Sequence, residues 1–399
     1  MDVFVARQPI FNQHKKIFAY ELLFRTGMSN AFPGVDGDEA TSSLLSSSFF
    51  TVGIEQIASG YKAFVNFTED MLVRGVPSMF PKDSVVVEVL EDVQPTEEVI
   101  GACRELVAKG YTLALDDFVY ADNLIPLIEI AKIIKVDFRL TPIEQIKELV
   151  ETLKNYSCKL LAEKIETYEE FTLASSMGFV YFQGYFFSKP EVLKNKDISS
   201  SQLSLMQLIV EVNRDEFEVG DIEKLVNQDI SISFKLLKYL NSAYYSRPLP
   251  ISSIRQAIAF LGERGTRLFV SLIATSKLSE HKPDELIRTS CIRARFLERI
   301  GEVCKLDKGD LFMLGLFSLL DAMLDVSMEV LMTQLPISEE ITQALVHKSG
   351  SLFPYLLLIQ LYEAGEWIKL DRLMGTVNLD EHKIMDFYLD AVHWADNLL

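Results

Sequence analysis

Basic residues, histidine and cysteine are all scarce in this 399-residue chain, and each scarcity argues against a class of function. Lys and Arg total 39 against 57 Asp and Glu, a formal charge of −18 at pH 7. Such a balance does not support non-specific binding to a nucleic-acid polymer or an anionic lipid face, because both need a basic surface. An anionic small ligand remains admissible, since a bound cation reverses the sign locally. The four cysteines, Cys103, Cys158, Cys291 and Cys304, show no CxxC spacing. That argues against a thiolate zinc site or a disulfide framework and fits a reducing compartment. No apolar run reaches the ~18 residues that a bilayer span needs, and MDVFVARQPIFNQHKK lacks the apolar core of a leader. The expectation is a cytoplasmic protein with no membrane partner.

What is present is a globular composition, 49% hydrophobic and 24% charged, long enough for two domains. Up to about residue 190, short β-rich runs alternate with helical patterns. The runs are Lys62–Phe67, Val85–Val89, Thr112–Leu115, Ile133–Val136, Lys159–Ala162 and Tyr181–Gln183, with helical stretches such as Glu97–Lys109 and Pro142–Asn155 between them. Fully apolar strands such as VVVEV signal a parallel sheet covered on both faces. Repeated strand–helix units of this density predict a TIM-like (β/α) barrel over 1–192. A polar Ser/Lys-rich stretch gives a linker at 193–202, and an all-α domain follows over 203–399. Its helices are expected at Leu203–Asn213, Asp221–Asn227, Ile232–Asn241 and Ile254–Leu261, with turns such as RPLP and LGERG between helices.

The informative residues of the first half are the acids at strand ends. Glu88 and Glu91 close VVVEVLE, Asp116 and Asp117 close TLALDD, and Asp137 closes IIKVD. Glu163 and Glu166 close KLLAEKIE, while Glu21 lies in FAYELLFR and Asn66 in FVNF. Taken singly, each is a cap or an ion-pair member, because an unpaired acid at the end of an apolar strand is costly. Several strand ends that each deliver a carboxylate or carboxamide point further, because barrel strands converge with their C-termini on one face. Clustered Asp, Glu and Asn oxygens suit hard divalent cations, Mg²⁺ or Mn²⁺, and a pair of such ions serves phosphodiester hydrolysis.

Motif order across residues 1–190 resembles that of the EAL-domain cyclic di-GMP phosphodiesterases. RQPIF at 7–11 is similar to the opening QPI segment, and ELLFR at 21–25 to the signature E-x-L-x-R, with Leu22 in place of Ala. The resemblance implies that Glu21 ligates metal and that Arg25 contacts a nucleotide phosphate. It also puts Asn66, Glu88, Asp116 and Asp117 among the metal ligands and Lys135 beside the attacking water, with Asp137 completing the K-x-D motif. Glu163 in AEKIE becomes a ligand or the acceptor of the water's proton. QGYFFSKP at 183–190 places Gln183 in the pocket, and Glu91 and Glu166 fall in loops that couple the site to its surroundings. The implied ligand is cyclic di-GMP and the implied cofactor is two ions of Mg²⁺ or Mn²⁺, in a homodimer.

Departures from the family pattern follow the ligands. The stretch after the paired aspartates is normally DDFG-x-G, whereas here it is DDFVYADN, with Val119 and Ala121 at the glycine positions. If those positions need φ > 0, a β-branched residue strains the loop, and glycine there should raise turnover. Leu90 replaces a usual Thr, and Lys164 replaces the Gly of AEGVE.

Residues 229–267, with LLKYLNSAYY, ISSIRQAI and the following LG turn, resemble the core of the HDOD family. HD-type phosphohydrolases need a His-Asp pair where GLFSLLDAML has Ser318 and Leu319, which leaves Asp321 unaccompanied. His347 and His393 lie in amphipathic helices and are expected as surface or partly buried side chains and not as ligands. The helical domain is thus expected to be an output module for a signalling protein partner and not a second hydrolase. Two readings follow for the whole chain, an active phosphodiesterase or a nucleotide receptor that scarcely turns over, with a pure interaction scaffold as a third.

Overall fold

The computed structural model describes residues 4–25, 53–189, 253–278, 282–333, 337–377 and 379–398, together with 205, 208, 212, 240, 251 and 335. Two compact units partition the chain. One is Met1–Phe187 with Leu361–Lys369, and the other is Ser188–Gln360 with Leu370–Leu399. The expected linker at 193–202 and the three helices expected between 203 and 241 lie outside the described residues, apart from the isolated positions just given. Among the described residues no helix is long and apolar enough to cross a membrane.

The first unit is a closed barrel of eight strands, hydrogen-bonded in sequence order. Its strands are β1 (Phe4–Asn12), β2 (Ile17–Arg25), β3 (Lys62–Phe67), β4 (Val85–Val89), β5 (Thr112–Leu115), β6 (Ile133–Asp137), β7 (Lys159–Glu163) and β8 (Tyr181–Gln183). The six expected runs become β3 to β8, with β6 and β7 one residue longer, so that Asp137 and Glu163 lie inside their strands. The expectation of a wholly parallel sheet needs one correction. β1 runs antiparallel to both β2 and β8, while β2 to β8 are mutually parallel. The reason is the short link between β1 and β2, which permits a hairpin but not a crossover. Asn12 fastens that turn by accepting the backbone N–H groups of His14 at 2.8 Å and Lys16 at 3.1 Å.

Helices α1 (Glu97–Ala108), α2 (Ile143–Leu153) and α3 (Tyr168–Met177) follow β4, β6 and β7. Thr96 and Thr167 start α1 and α3 by accepting the N–H of Val99 at 3.3 Å and Glu170 at 3.1 Å. Inside the barrel each strand supplies one member of a single apolar layer: Ile10, Ala19, Phe64, Val86, Ala114, Ile133, Leu161 and Tyr181. Side chains alternate along a strand, so the residue two positions further toward the barrel mouth faces inward as well. Those residues are Gln8, Glu21, Asn66, Glu88, Asp116, Lys135, Glu163 and Gln183. A dry apolar floor therefore carries a polar ring directly above it.

The second unit is helical throughout its described residues, as expected. Its helices include α4 (Ile254–Leu278), α5 (Asp284–Cys304), α6 (Lys308–Phe317) and α7 (Glu381–Leu398). The turn expected at LGERG is a kink within α4, where Gly262 takes φ 68, ψ −179. α5 and α6 approach closely at Gly315, where a Cβ would stand 2.5 Å from the backbone of Arg293 and Ala294.

Candidate active site in the barrel mouth

Lys135 is the hub of the polar ring. It is fully buried, and its ammonium lies 2.6 Å from Glu88, 2.7 Å from Asp116, 2.9 Å from Glu163 and 3.4 Å from Glu21. Burial by itself would lower the Lys135 pKa, but the surrounding carboxylates outweigh it and hold the amine well above its ordinary value. The acids respond in the opposite sense. Burial, only partly offset by Lys135, pushes Glu88 and Glu163 well above the usual carboxylate range. Burial and the neighbouring Asp116 push Asp117 up too.

Glu21 is held from two further sides. Gln183 donates to its Oε2 at 2.6 Å and Asn66 donates to its Oε1 at 3.2 Å. The Gln183 amide also donates to Gln8 at 3.1 Å. Gln8 was not among the expected site residues, although its place two positions before Ile10 puts it in the same ring. The strand of Arg25 is described, but its side chain lies outside the described residues.

Several oxygens in and beside the ring have no protein partner. Asn66 Oδ1, Glu88 Oε2, Asp117 Oδ1 and Glu163 Oε2 are buried without a hydrogen bond. Oxygens of Asp116, Asp117 and Glu163 come within 4.8 Å of one another, a spacing that suits one shared cation. Unpaired buried oxygens are expensive, and a hard divalent ion is the partner that carboxylate and carboxamide donors fit best. The residues present therefore fit a divalent cation.

Asp137 stands apart from this set. Its Oδ1 accepts the backbone N–H groups of Arg139 at 2.5 Å and Leu140 at 2.9 Å, and its Oδ2 accepts the Lys164 ammonium. Burial would raise its pKa, but these hydrogen bonds prevail and lower it. Glu91 is exposed beyond β4, and Glu166 pairs with Arg139 at 3.1 Å. In the helical unit His347 and His393 are exposed.

The premise about the loop after Asp117 is corrected. Neither Val119 nor Ala121 has positive φ; Ala121 is extended at φ −149, ψ 145, and Val119 is 72% exposed. The left-handed backbone falls on Asp117 (φ 38) and on Lys164 (φ 55). Glycine at 119 and 121 should thus relieve nothing and cost loop entropy of about 1 kcal/mol each. Turnover of the double variant is expected to stay level or fall, and a clear rise in a steady-state assay would restore the strain account.

Gly184 has the opposite character. It takes φ +139, and a Cβ there would lie 2.1 Å from the Ile165 carbonyl oxygen and 2.4 Å from its nitrogen. Backbone cannot give way cheaply, and the Ile165 N–H is already bound to the Gln183 carbonyl at 2.9 Å. Gly184→Ala should cost at least about 2 kcal/mol and displace Gln183 from Glu21. A thermal melt unchanged from wild type would contradict this.

The family model described as EAL domain matches residues 55–190, and that described as HDOD domain matches residues 200–328. Over 400 residues the chain is 37% identical to the cyclic di-GMP phosphodiesterase CdgJ of Vibrio cholerae, covering 99% of this chain and 93% of that one. It is 35% identical over 412 residues to the uncharacterized protein YuxH of Bacillus subtilis, covering 100% and 99%. Among solved structures, the Bacillus subtilis YkuI protein, with an EAL domain in complex with substrate c-di-GMP and calcium, matches 57% of this chain and 72% of its own. The identity is 16% and the TM-score 0.38.

Proposed function

The chain belongs to the two-domain EAL–HDOD family that includes Vibrio cholerae CdgJ, and on that basis we propose that it hydrolyses cyclic di-GMP to linear pGpG. The observation that carries the reading is the polar ring itself. Glu21, Asn66, Glu88, Asp116 and Glu163 come together around Lys135, and Asn66, Glu88 and Glu163 keep unpaired buried oxygens, as a divalent-cation site requires.

Mg²⁺ or Mn²⁺ would be held in two adjoining positions, one by Glu21, Asn66, Glu88 and Asp116 and the other by Asp116, Asp117 and Glu163. Bound there, the ions supply an activated water and charge stabilisation for a phosphodiester. The protein does the rest. Lys135 balances the carboxylates and orients the attacking water. Glu163, whose pKa burial has raised, accepts that water's proton as its oxygen attacks phosphorus. The ester oxygen leaves and takes up a proton from solvent. Arg25 holds a phosphate through charge-assisted hydrogen bonds, and Gln183 keeps Glu21 in place. The domains are taken at 1–192 and 203–399, with a homodimer as the working form. The helical domain passes the nucleotide state to a protein partner and adds no second hydrolytic centre.

The test is an incubation of the purified full chain with cyclic di-GMP and Mn²⁺ or Mg²⁺, followed by chromatography of the products. Linear dinucleotide that disappears with chelator is the expected result. Tight nucleotide binding without product would favour the receptor, and no binding would sink both.

A further inference from the structure

Lys164 combines two features that do not belong together by chance of sequence. Its backbone sits in the left-handed region at φ 55, where a lysine gains nothing over glycine. The following residue pins that conformation, because the Ile165 N–H is bound to the Gln183 carbonyl at 2.9 Å. From this position the ammonium reaches the buried Asp137 carboxylate and stands 3.6 Å from Asp117 Oδ2. Asp137 has no oxygen to spare for anything else, since Oδ1 already takes two backbone N–H groups. Asp137 is therefore an anchor for Lys164 and sets a fixed positive charge beside the Asp116–Asp117–Glu163 group.

We infer that Lys164 acts as a built-in cation next to the second metal position, weakening divalent binding there and leaving the barrel with one tightly held ion. The inference rests on the functional reading above and concerns how that site is loaded. A divalent ion bound at Asp117 meets like charge at close range, a repulsion that solvent screens only in part because the Lys164 side chain is half exposed. Lys164 also occupies Asp117 electrostatically, so the ion competes with a tethered partner that is never diluted. Lys135 touches acids of both positions and so does not distinguish them, whereas Lys164 pairs with Asp117, a ligand of the second position alone; the Glu21–Asn66–Glu88–Asp116 position keeps unpaired oxygens on Asn66 and Glu88. Occupation of the second position then becomes the step that sets how much Mn²⁺ or Mg²⁺ the reaction needs.

The experiment is a Mn²⁺ titration of the chelator-stripped full chain, without nucleotide, read by calorimetry and by electron paramagnetic resonance. Wild type should take one ion tightly and a second at least tenfold more weakly, with no spin-coupled pair at one equivalent. Lys164→Gln, which removes the charge and keeps a polar side chain one atom shorter, should bring the second affinity to within tenfold of the first and show a spin-coupled pair at two equivalents. Lys164→Gly should do the same while also relieving the backbone, and Lys164→Arg should behave as wild type. Two ions of similar affinity in wild type, or a Lys164→Gln titration that matches wild type, overturns the inference. Wild type that takes two similar ions and hydrolyses cyclic di-GMP removes the inference alone. The expected titrations without any hydrolysis by wild type would leave the inference standing and remove the phosphodiesterase reading. No ion uptake by any of the proteins removes both.

Discussion

Replacing Lys135 with methionine should lower the melting temperature of the barrel by on the order of 10 °C. Four carboxylates, those of Glu21, Glu88, Asp116 and Glu163, meet at one ammonium in a site closed to solvent. Removing one partner of a buried ion pair leaves uncompensated charge and costs about 3–5 kcal/mol. In a unit of this size that corresponds to a shift on the order of 10 °C. The loss should depend on pH with a definite sign. Burial holds the folded-state pKa of Glu88 and Glu163 above the unfolded value, and without Lys135 the opposing pull is gone. The folded variant then binds more protons than the unfolded one, so its stability rises as pH falls from 8 toward 5. Added Mn²⁺ should recover part of the loss at neutral pH, because an ion bound only to the folded state stabilises it by mass action. Calorimetric melts at several pH values check all three statements. A variant that melts within about 2 °C of wild type at neutral pH would show that the ring acids are not jointly charged.

Glu21→Gln should reduce turnover on the order of 10³-fold, equivalent to about 4 kcal/mol of transition-state stabilisation. The substitution is nearly isosteric, so the barrel should stay folded, but it removes the charge of a proposed ligand and turns one acceptor into a donor. That donor would face Lys135 or the amides of Gln183 and Asn66, all of which already donate to Glu21. Arg25→Ala should act differently, weakening nucleotide binding by roughly 10–100-fold, the range expected for a lost charge-assisted hydrogen bond. Steady-state kinetics with separate binding titrations distinguish the two roles. Glu21→Gln retaining a tenth of wild-type turnover would remove Glu21 from the metal site.

Much of the barrel is written in strand periodicity. In VVVEV, Val86 and Glu88 share one face and Val87 takes the other, and Leu161 and Glu163 in KLLAE repeat the arrangement. Local sequence therefore determined that each strand would carry an apolar residue and then a polar one on its inner face. It also determined that the second half would be helical where described. Closure of the barrel was decided only in three dimensions, because nothing local specifies that eight such faces meet. The same holds for Lys135, whose four acids come from β2, β4, β7 and the end of β5, and for Gln8, which reaches the ring because β1 is reversed. Backbone strain was misplaced in the sequence for a related reason. Comparison with a glycine-rich loop pointed to Val119 and Ala121, whereas the left-handed residues are Asp117 and Lys164. Both sit where the chain leaves a strand and is pinned at once by its neighbour, through Phe118 N–H to Lys135 and Ile165 N–H to Gln183. Side-chain alternation is a local property of a strand and is legible one residue at a time, whereas the torsion of a turn is imposed by hydrogen bonds to strands far away in the chain.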